Sequence, residues 1–196
     1  MRNERFIAIE GLDGVGKSTV VEELRKMGYS TLTTPPEIFK KVRPFFEDKD
    51  VRVRFLYYLM GVRHAGKQVC GMQAEEKVVS DRYLLTTLSA HEAMGLPPSW
   101  LTLCKPLIRS VEKPSNTFLI TCDEEERLRR MYDRGANKVD ERNLEINDQI
   151  ISGYMRWSQE LGHTLTVVDS TNLLPQDVAD VIDLSVLSGN YESTQE

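Results

Sequence analysis

The stretch Phe6-Ile7-Ala8-Ile9-Glu10-Gly11-Leu12-Asp13-Gly14-Val15-Gly16-Lys17-Ser18-Thr19 decides the fold. Its second part fits the pattern G-x-x-x-x-G-K-S/T at Gly11, Gly16, Lys17 and Ser18. Glycine lets such a turn close around an anion without a Cβ in the way. Successive backbone N–H groups then face inward as a nest, and a helix opening at Lys17 adds the positive end of its dipole. Lys17 has the reach for the outer phosphates of a nucleoside triphosphate, and the Ser18 hydroxyl suits Mg2+. Leu12, Asp13, Gly14, Val15 and Thr19 complete the cradle. The setting agrees: the apolar run Phe6–Ile9 precedes the glycines as a buried strand would, and Val20, Val21 and Leu24 follow at helical spacing. A dinucleotide fingerprint is excluded, because these glycines run G-x-x-G-x-G and a Lys-Ser pair follows.

Composition limits what surrounds the loop. A chain of 196 residues is expected to form one domain, 1–196, with a sizeable core. The net charge of −5 argues against general nucleic-acid binding. No apolar run reaches membrane length, and the N-terminus enters a strand without a signal-peptide core, so no membrane partner and a cytoplasmic location are expected. Cys70, Cys104 and Cys122 form neither a zinc nor a redox spacing, and His64, His91 and His163 are equally scattered. Free thiols in a reducing compartment follow.

Strands are predicted over 5–10, 29–34, 77–80, 117–122 and 164–169. Between them, helices are predicted over 17–27, ended by Gly28, over 37–47, and from an Asp50 cap to about 69. Further helices fall near 84–94, 98–112, from an Asp123 cap to 134, at 143–161, and from Pro175 onward, with a frayed tail over 189–196. Alternation of this kind implies an α/β fold, with five parallel strands and helices on both faces. Ligands then bind beyond the carboxyl ends of the strands.

Asp81-Arg82-Tyr83 sits at such an end. A carboxylate there can hold Mg2+ through water or orient an attacking oxygen, and an arginine can clamp a second phosphate. A surface ion pair where a strand exits is the plainer reading, and the phosphate loop in the same fold weighs against it.

With those residues on the page, Phe6 to Thr19 and Ser80 to Thr87 resemble the thymidylate kinase family, which carries E-G-x-D-G-x-G-K-S-T and then D-R-Y with small hydroxylated residues, here Thr86 and Thr87. Weaker likeness covers nearly the whole chain, through the helix ending at Arg63, the strand and acidic helix of Thr117 to Arg130, and Val167 to Ser170. The resemblance implies a P-loop three-layer α/β/α kinase with a helical lid near 134–143. It implies ATP and Mg2+, a nucleoside monophosphate acceptor with dTMP foremost, and a homodimer. Asp13 matches the residue on the acceptor's sugar hydroxyl. Asp81 and Arg82 match those on metal-linked water and acceptor phosphate, and Arg63 matches the base reader. The phosphate loop has no arginine, so the lid arginines are implied to be catalytic, with Arg134 and Arg142 favoured. Arg127, Arg129 and Arg130 are expected to form a solvated face paired with Glu124, Glu125 and Glu126.

The acceptor side departs from the family pattern. Leu59 stands where an aromatic stacks on the base, Ala90-His91 replaces Tyr-Gln, and Thr34-Pro35-Pro36-Glu37 replaces Arg-Glu-Pro-Gly. The same chemistry on another acceptor therefore stays open. Asn137-Lys138-Val139-Asp140 spells a guanine-reading motif, the one support for a nucleotide-dependent switch. A charged helix precedes it instead of the required strand, so it reads as coincidence.

Overall fold

Five residues with no exposed face, Phe6–Glu10 (β1), form the middle of the sheet. The structure, a computed structural model, describes residues 5–135 and 146–192, the side chains of Arg134 and of residues 189–192 excepted. Around β1 lie β2 (Ser30–Thr33), β3 (Val78–Asp81), β4 (Asn116–Thr121) and β5 (Leu165–Asp169), in the order β2-β3-β1-β4-β5. Every pairing is parallel. A parallel sheet is covered on both faces by its crossover helices, which is why β1, β3 and β4 read as apolar runs rather than alternating ones. All five predicted strands are present, each within a residue of its expected limits.

The helices are α1 (Lys17–Lys26), α2 (Glu37–Lys40), α3 (Arg43–Glu47), α4 (Val51–Cys70), α5 (Leu84–Ala93), α6 (Pro98–Arg109), α7 (Glu124–Arg134), α8 (Asn147–Leu161) and α9 (Pro175–Glu192). The core is filled by Ile7 and Ile9 from β1, Leu24 from α1, Phe55 and Leu59 from α4, and Ile182 from α9, all fully buried. Asp50 caps α4 as expected, accepting from the Arg52 N–H at 2.9 Å. Asp123 stands at the start of α7 without a side-chain capping bond.

One helix limit is corrected. The single helix expected over 37–47 is two short ones, because Pro44 has no N–H to offer the Lys40 carbonyl and so cannot continue α2. The last helix extends through Gly189 to Glu192. One glycine costs a helix about 1 kcal/mol and does not by itself end it.

Close packing of α5 on α8 fixes one wall of the future site. A Cβ on Gly153 would lie 2.8 Å from the Ser89 Cβ, so only glycine fits there. His91, also on α5, is 4% exposed, with its ring 5.6 Å from Phe55 and 5.3 Å from Tyr58. Its Nδ1 lies 2.7 Å from the Thr87 carbonyl, which only accepts, so Nδ1 carries the proton. Burial brings the His91 pKa down to about 4.

Gly153→Ala should lower stability by about 1–2 kcal/mol, overpacking outweighing the helix-propensity gain, and a cycle with Ser89→Gly should recover most of it. Denaturant melts of the four proteins check this. His91 is neutral when folded and charged when unfolded below its ordinary pKa of 6.5. Its contribution is therefore complete above that pH and is lost as pH falls toward 4, by up to about 3 kcal/mol. Melts from pH 7.5 to 4 should show this loss in the wild type and its absence in His91→Gln.

Candidate active site

Parallel register sets Ile9 opposite Asp81. The chain leaves β1 into the loop 11–16 and leaves β3 into the turn 81–83, so the two lie side by side. Gly11, at φ +141°, is pressed on β4: a Cβ there would sit 2.4 Å from the Ile120 oxygen. Gly14, at φ +90°, is pressed on α7, 2.6 Å from the Met131 Cγ by the same test. The loop thus rests on glycines that no other residue can replace. Val15 is buried beneath it.

A cleft of about 780 Å3 opens above the loop. Leu12, Asp13, Gly14, Gly16 and Lys17 to Thr19 line its floor, and Asp81, Arg82, Thr86 and Thr87 line the facing wall. The Ser18 hydroxyl donates to Asp81 Oδ2 at 2.7 Å. Arg82 donates to the Asp13 carboxylate, and to the Gly11 carbonyl at 3.3 Å. Lys17 is 5% exposed and its ammonium turns back onto the Leu12 carbonyl. Burial, with the Arg82 charge second, brings its pKa down to about 7. A Mg2+–triphosphate suits this donor set. The loop has room only for backbone, a cation lies within it, and the Ser18–Asp81 pair offers the hard oxygens that Mg2+ prefers. Lys17, Ser18, Asp81, Arg82 and Asp13 are therefore brought together as expected.

Glu10 and Tyr154 belong to the same cluster, and neither is among the expected site residues. Glu10 is fully buried under the 81–86 turn, and burial pushes its carboxyl pKa up, against the hydrogen bonds of Thr86. Its signals are a charge closing an otherwise apolar strand and its place at the head of the E-G-x-D-G-x-G-K-S-T likeness. Tyr154 from α8 donates to the Gly11 carbonyl at 3.3 Å and lies 2.9 Å from the Thr86 hydroxyl. Nothing in its local sequence marks it.

The far end of the cleft corrects two placements. Leu59 is fully buried in the core, and Arg63 leaves the cleft to donate to the Ser110 hydroxyl at 3.1 Å. Neither lines the cleft. Arg54 and Tyr58 of α4 line it instead, with Arg43, Glu47, His91 and Met94. Each residue turns a helix by about 100°, so positions 54 and 58 share one face and 59 and 63 another. The sequence held the signal, since Arg54 and Tyr58 have the same i, i+4 spacing. Arg54 donates to the Glu47 carbonyl at 3.3 Å, while its Nε is buried without a partner. Tyr58 donates to the Glu47 carboxylate, which also accepts from Arg43 at 2.8 Å. Thr86 and Thr87 do line the cleft, as does His91, whose buried Nε2 has no partner.

The arginines of α7 are corrected too. The expected pairing with Glu124 and Glu126 is present, but only Arg129, 61% exposed, lies on a solvated face. Arg127 is 2% exposed and donates to the Asp13 carbonyl at 3.0 Å, which fixes α7 to the loop. Arg130 lines the cleft, bonded to Glu126 at 2.7 Å and the Ser170 carbonyl at 2.9 Å. The loop ran short of partners in the sequence alone, and folding brings these two arginines over to it. Arg142, the 137–140 string, and the lid span from 136 lie outside the described residues, as does the Arg134 side chain.

Comparison with known proteins covers the same ground. The family model described as thymidylate kinase matches residues 9–182. The probable thymidylate kinase of Caldivirga maquilingensis is 24% identical over 193 residues, covering 91% of this chain and 92% of the relative. That of Methanopyrus kandleri is 31% identical over 151 residues, 69% of this chain and 76% of the relative. The solved thymidylate kinase from Candida albicans shares the fold, with a TM-score of 0.74 over 95% of this chain and 92% of that one, at 17% identity. From a glycine loop facing an Asp-Arg turn, and from a match spanning residues 9–182, the chain belongs to the thymidylate kinase family of nucleoside monophosphate kinases.

Proposed function

We propose that the chain transfers the γ-phosphoryl group of Mg-ATP to dTMP, giving dTDP. One observation carries this reading: Lys17 and Ser18 on the loop face Asp81 and Arg82 on the turn across one cleft, joined by the 2.7 Å Ser18–Asp81 bond. The loop N–H groups hold the donor phosphates. Lys17 offsets negative charge on the transferred group, which develops over its oxygens in the transition state. Ser18 and Asp81 hold the metal, which supplies charge neutralisation and alignment of the donor. Arg82, steadied by Asp13, clamps the acceptor phosphate, and Asp13 is the residue that the family resemblance sets on the acceptor's sugar hydroxyl. The acceptor base lies toward Arg54, Tyr58 and His91. Rate then comes from position and fixed charge, with no covalent intermediate.

Arg134 and Arg142 remain the proposed lid arginines. Arg130, already at the cleft, is a further cation for the donor side. A homodimer is part of the reading, supported by Val53 and Met60, which α4 turns outward at 43% and 42% exposure. No described helix is long and apolar enough to cross a membrane, and the three cysteines are free, which fits a cytoplasmic kinase. A different acceptor is favoured by one observation, the charged far wall of Arg43, Glu47 and Arg54. Release of ADP with a panel of nucleoside monophosphates decides, and a best acceptor other than dTMP would replace it in the reading.

Lys17→Ala should cut kcat by roughly 10²–10³ while far-UV dichroism is unchanged; unaltered turnover would overturn the scheme. Arg82→Ala should raise the KM for dTMP by at least about tenfold and leave that for ATP within about twofold. Because the Lys17 pKa lies at about 7, a bound polyanion should raise it and draw in up to about three-quarters of a proton at pH 7.5. Calorimetry in buffers of different ionisation enthalpy measures that uptake, and Lys17→Ala should abolish it.

A further inference from the structure

The first turn of α5 lacks a cap of its own. Tyr83 stands at the N-cap with no side-chain capping bond, and no acidic residue follows in the first turn. The N–H groups of such a turn need acceptors. Glu10 provides them from β1. Its Oε1 accepts from the Tyr83 N–H at 3.1 Å and the Thr86 N–H at 3.2 Å, and its Oε2 accepts from the Thr86 hydroxyl. One carboxylate thus performs across the fold what a capping box performs within a helix.

The residue before that turn is strained. Arg82 has φ +63°, a left-handed backbone that costs a residue with a Cβ about 1 kcal/mol. The peptide joining it to Tyr83 is gripped at both ends. Its N–H meets Glu10, and its carbonyl accepts from Ser80 Oγ at 2.7 Å and Thr34 Oγ1 at 2.9 Å. The Arg82 N–H in turn donates to the Ile9 carbonyl at 2.9 Å.

We infer that Glu10 is a positioning residue: by holding the Arg82–Tyr83 peptide and the first turn of α5, it aims the Arg82 guanidinium at the acceptor. This rests on the reading of Arg82 as the acceptor-phosphate clamp. What matters is reach rather than charge. A glutamine at position 10 satisfies the same partners, since its Oε1 accepts both N–H groups and its Nε2 donates to Thr86 Oγ1. The Thr86 hydroxyl then donates to Tyr154, which still donates to the Gly11 carbonyl. An aspartate keeps the charge and falls one methylene short.

The test is steady-state kinetics in dTMP and in ATP for Glu10→Gln, Glu10→Asp and Glu10→Ala, beside Arg82→Ala. Glu10→Gln should keep the KM for dTMP within about threefold of wild type. Glu10→Asp and Glu10→Ala should raise it about tenfold or more, with the KM for ATP within about twofold, because an ångström of misplacement is enough to disable a clamp. Equal rises in both KM values, a fall in melting temperature alone, or a Gln variant no better than Asp would each overturn the inference. Should Glu10→Ala not fold, the Gln–Asp contrast carries the decision, as both keep a polar head in the pocket. If Arg82→Ala raises the KM for dTMP and Glu10→Asp does not, Glu10 loses its role and the clamp stands. If Arg82→Ala leaves that KM unchanged, both fall.

Discussion

Ile9 pairs with Asp81 in a parallel register, and the chemistry of this protein depends on that alignment. Parallel strands that end together release their chains on the same side of the sheet. The turn from β1 is the glycine loop and the turn from β3 is Asp81-Arg82-Tyr83, so a hydroxyl and a carboxylate 63 positions apart meet at 2.7 Å. A slip of one residue would send every side chain of the strand to the opposite face. Full burial of β1 prevents it, because both faces are packed and neither accepts the other's side chains.

The charges of the cleft are held ready by one another. Lys17, which is buried, and the half-buried Arg82 face the half-buried Asp13 and Asp81, where such pairs are worth more than at the open surface. The α7 pair Arg129–Glu126, at 2.7 Å but open to solvent, shows the contrast and adds little. Arg127 is unlike its neighbour. It is buried, and its bond to the Asp13 carbonyl anchors α7 to the phosphate loop. Groups already in place lose little freedom when substrates arrive, and this is how a kinase without covalent chemistry gains rate.

The far end of the cleft is walled by α4 and α5. Arg54, Tyr58 and Glu47 form one network there, and the His91 ring lies tilted against Tyr58 with its protonated nitrogen committed to the Thr87 carbonyl. His91 Nε2 is thus left as an acceptor, and Arg54 Nε as a donor, both buried. Buried polar groups of this kind discriminate strongly, because a ligand without the matching group leaves them unpaired.

The sequence by itself determined the strands, the phosphate loop and the Asp-Arg turn. Those signals are local: glycines at fixed offsets, an apolar run long enough for a strand, a helix opening on lysine. Tertiary structure alone decided which residues join them. Glu10 serves N–H groups 73 and 76 positions away, and nothing near it in the chain announces that. Arg127 and Arg130 keep the nearby glutamates as partners, and only the docking of α7 on the loop adds the Asp13 and Val15 carbonyls to them. The choice of Arg54 and Tyr58 over Leu59 and Arg63 is a rotation about the α4 axis. It is set by packing: a Cβ on Gly61 would lie 3.0 Å from Pro35, so that face of α4 is pressed against the segment after β2. A sequence pattern records the spacing along a helix, whereas the direction a helix faces belongs to whatever it packs against.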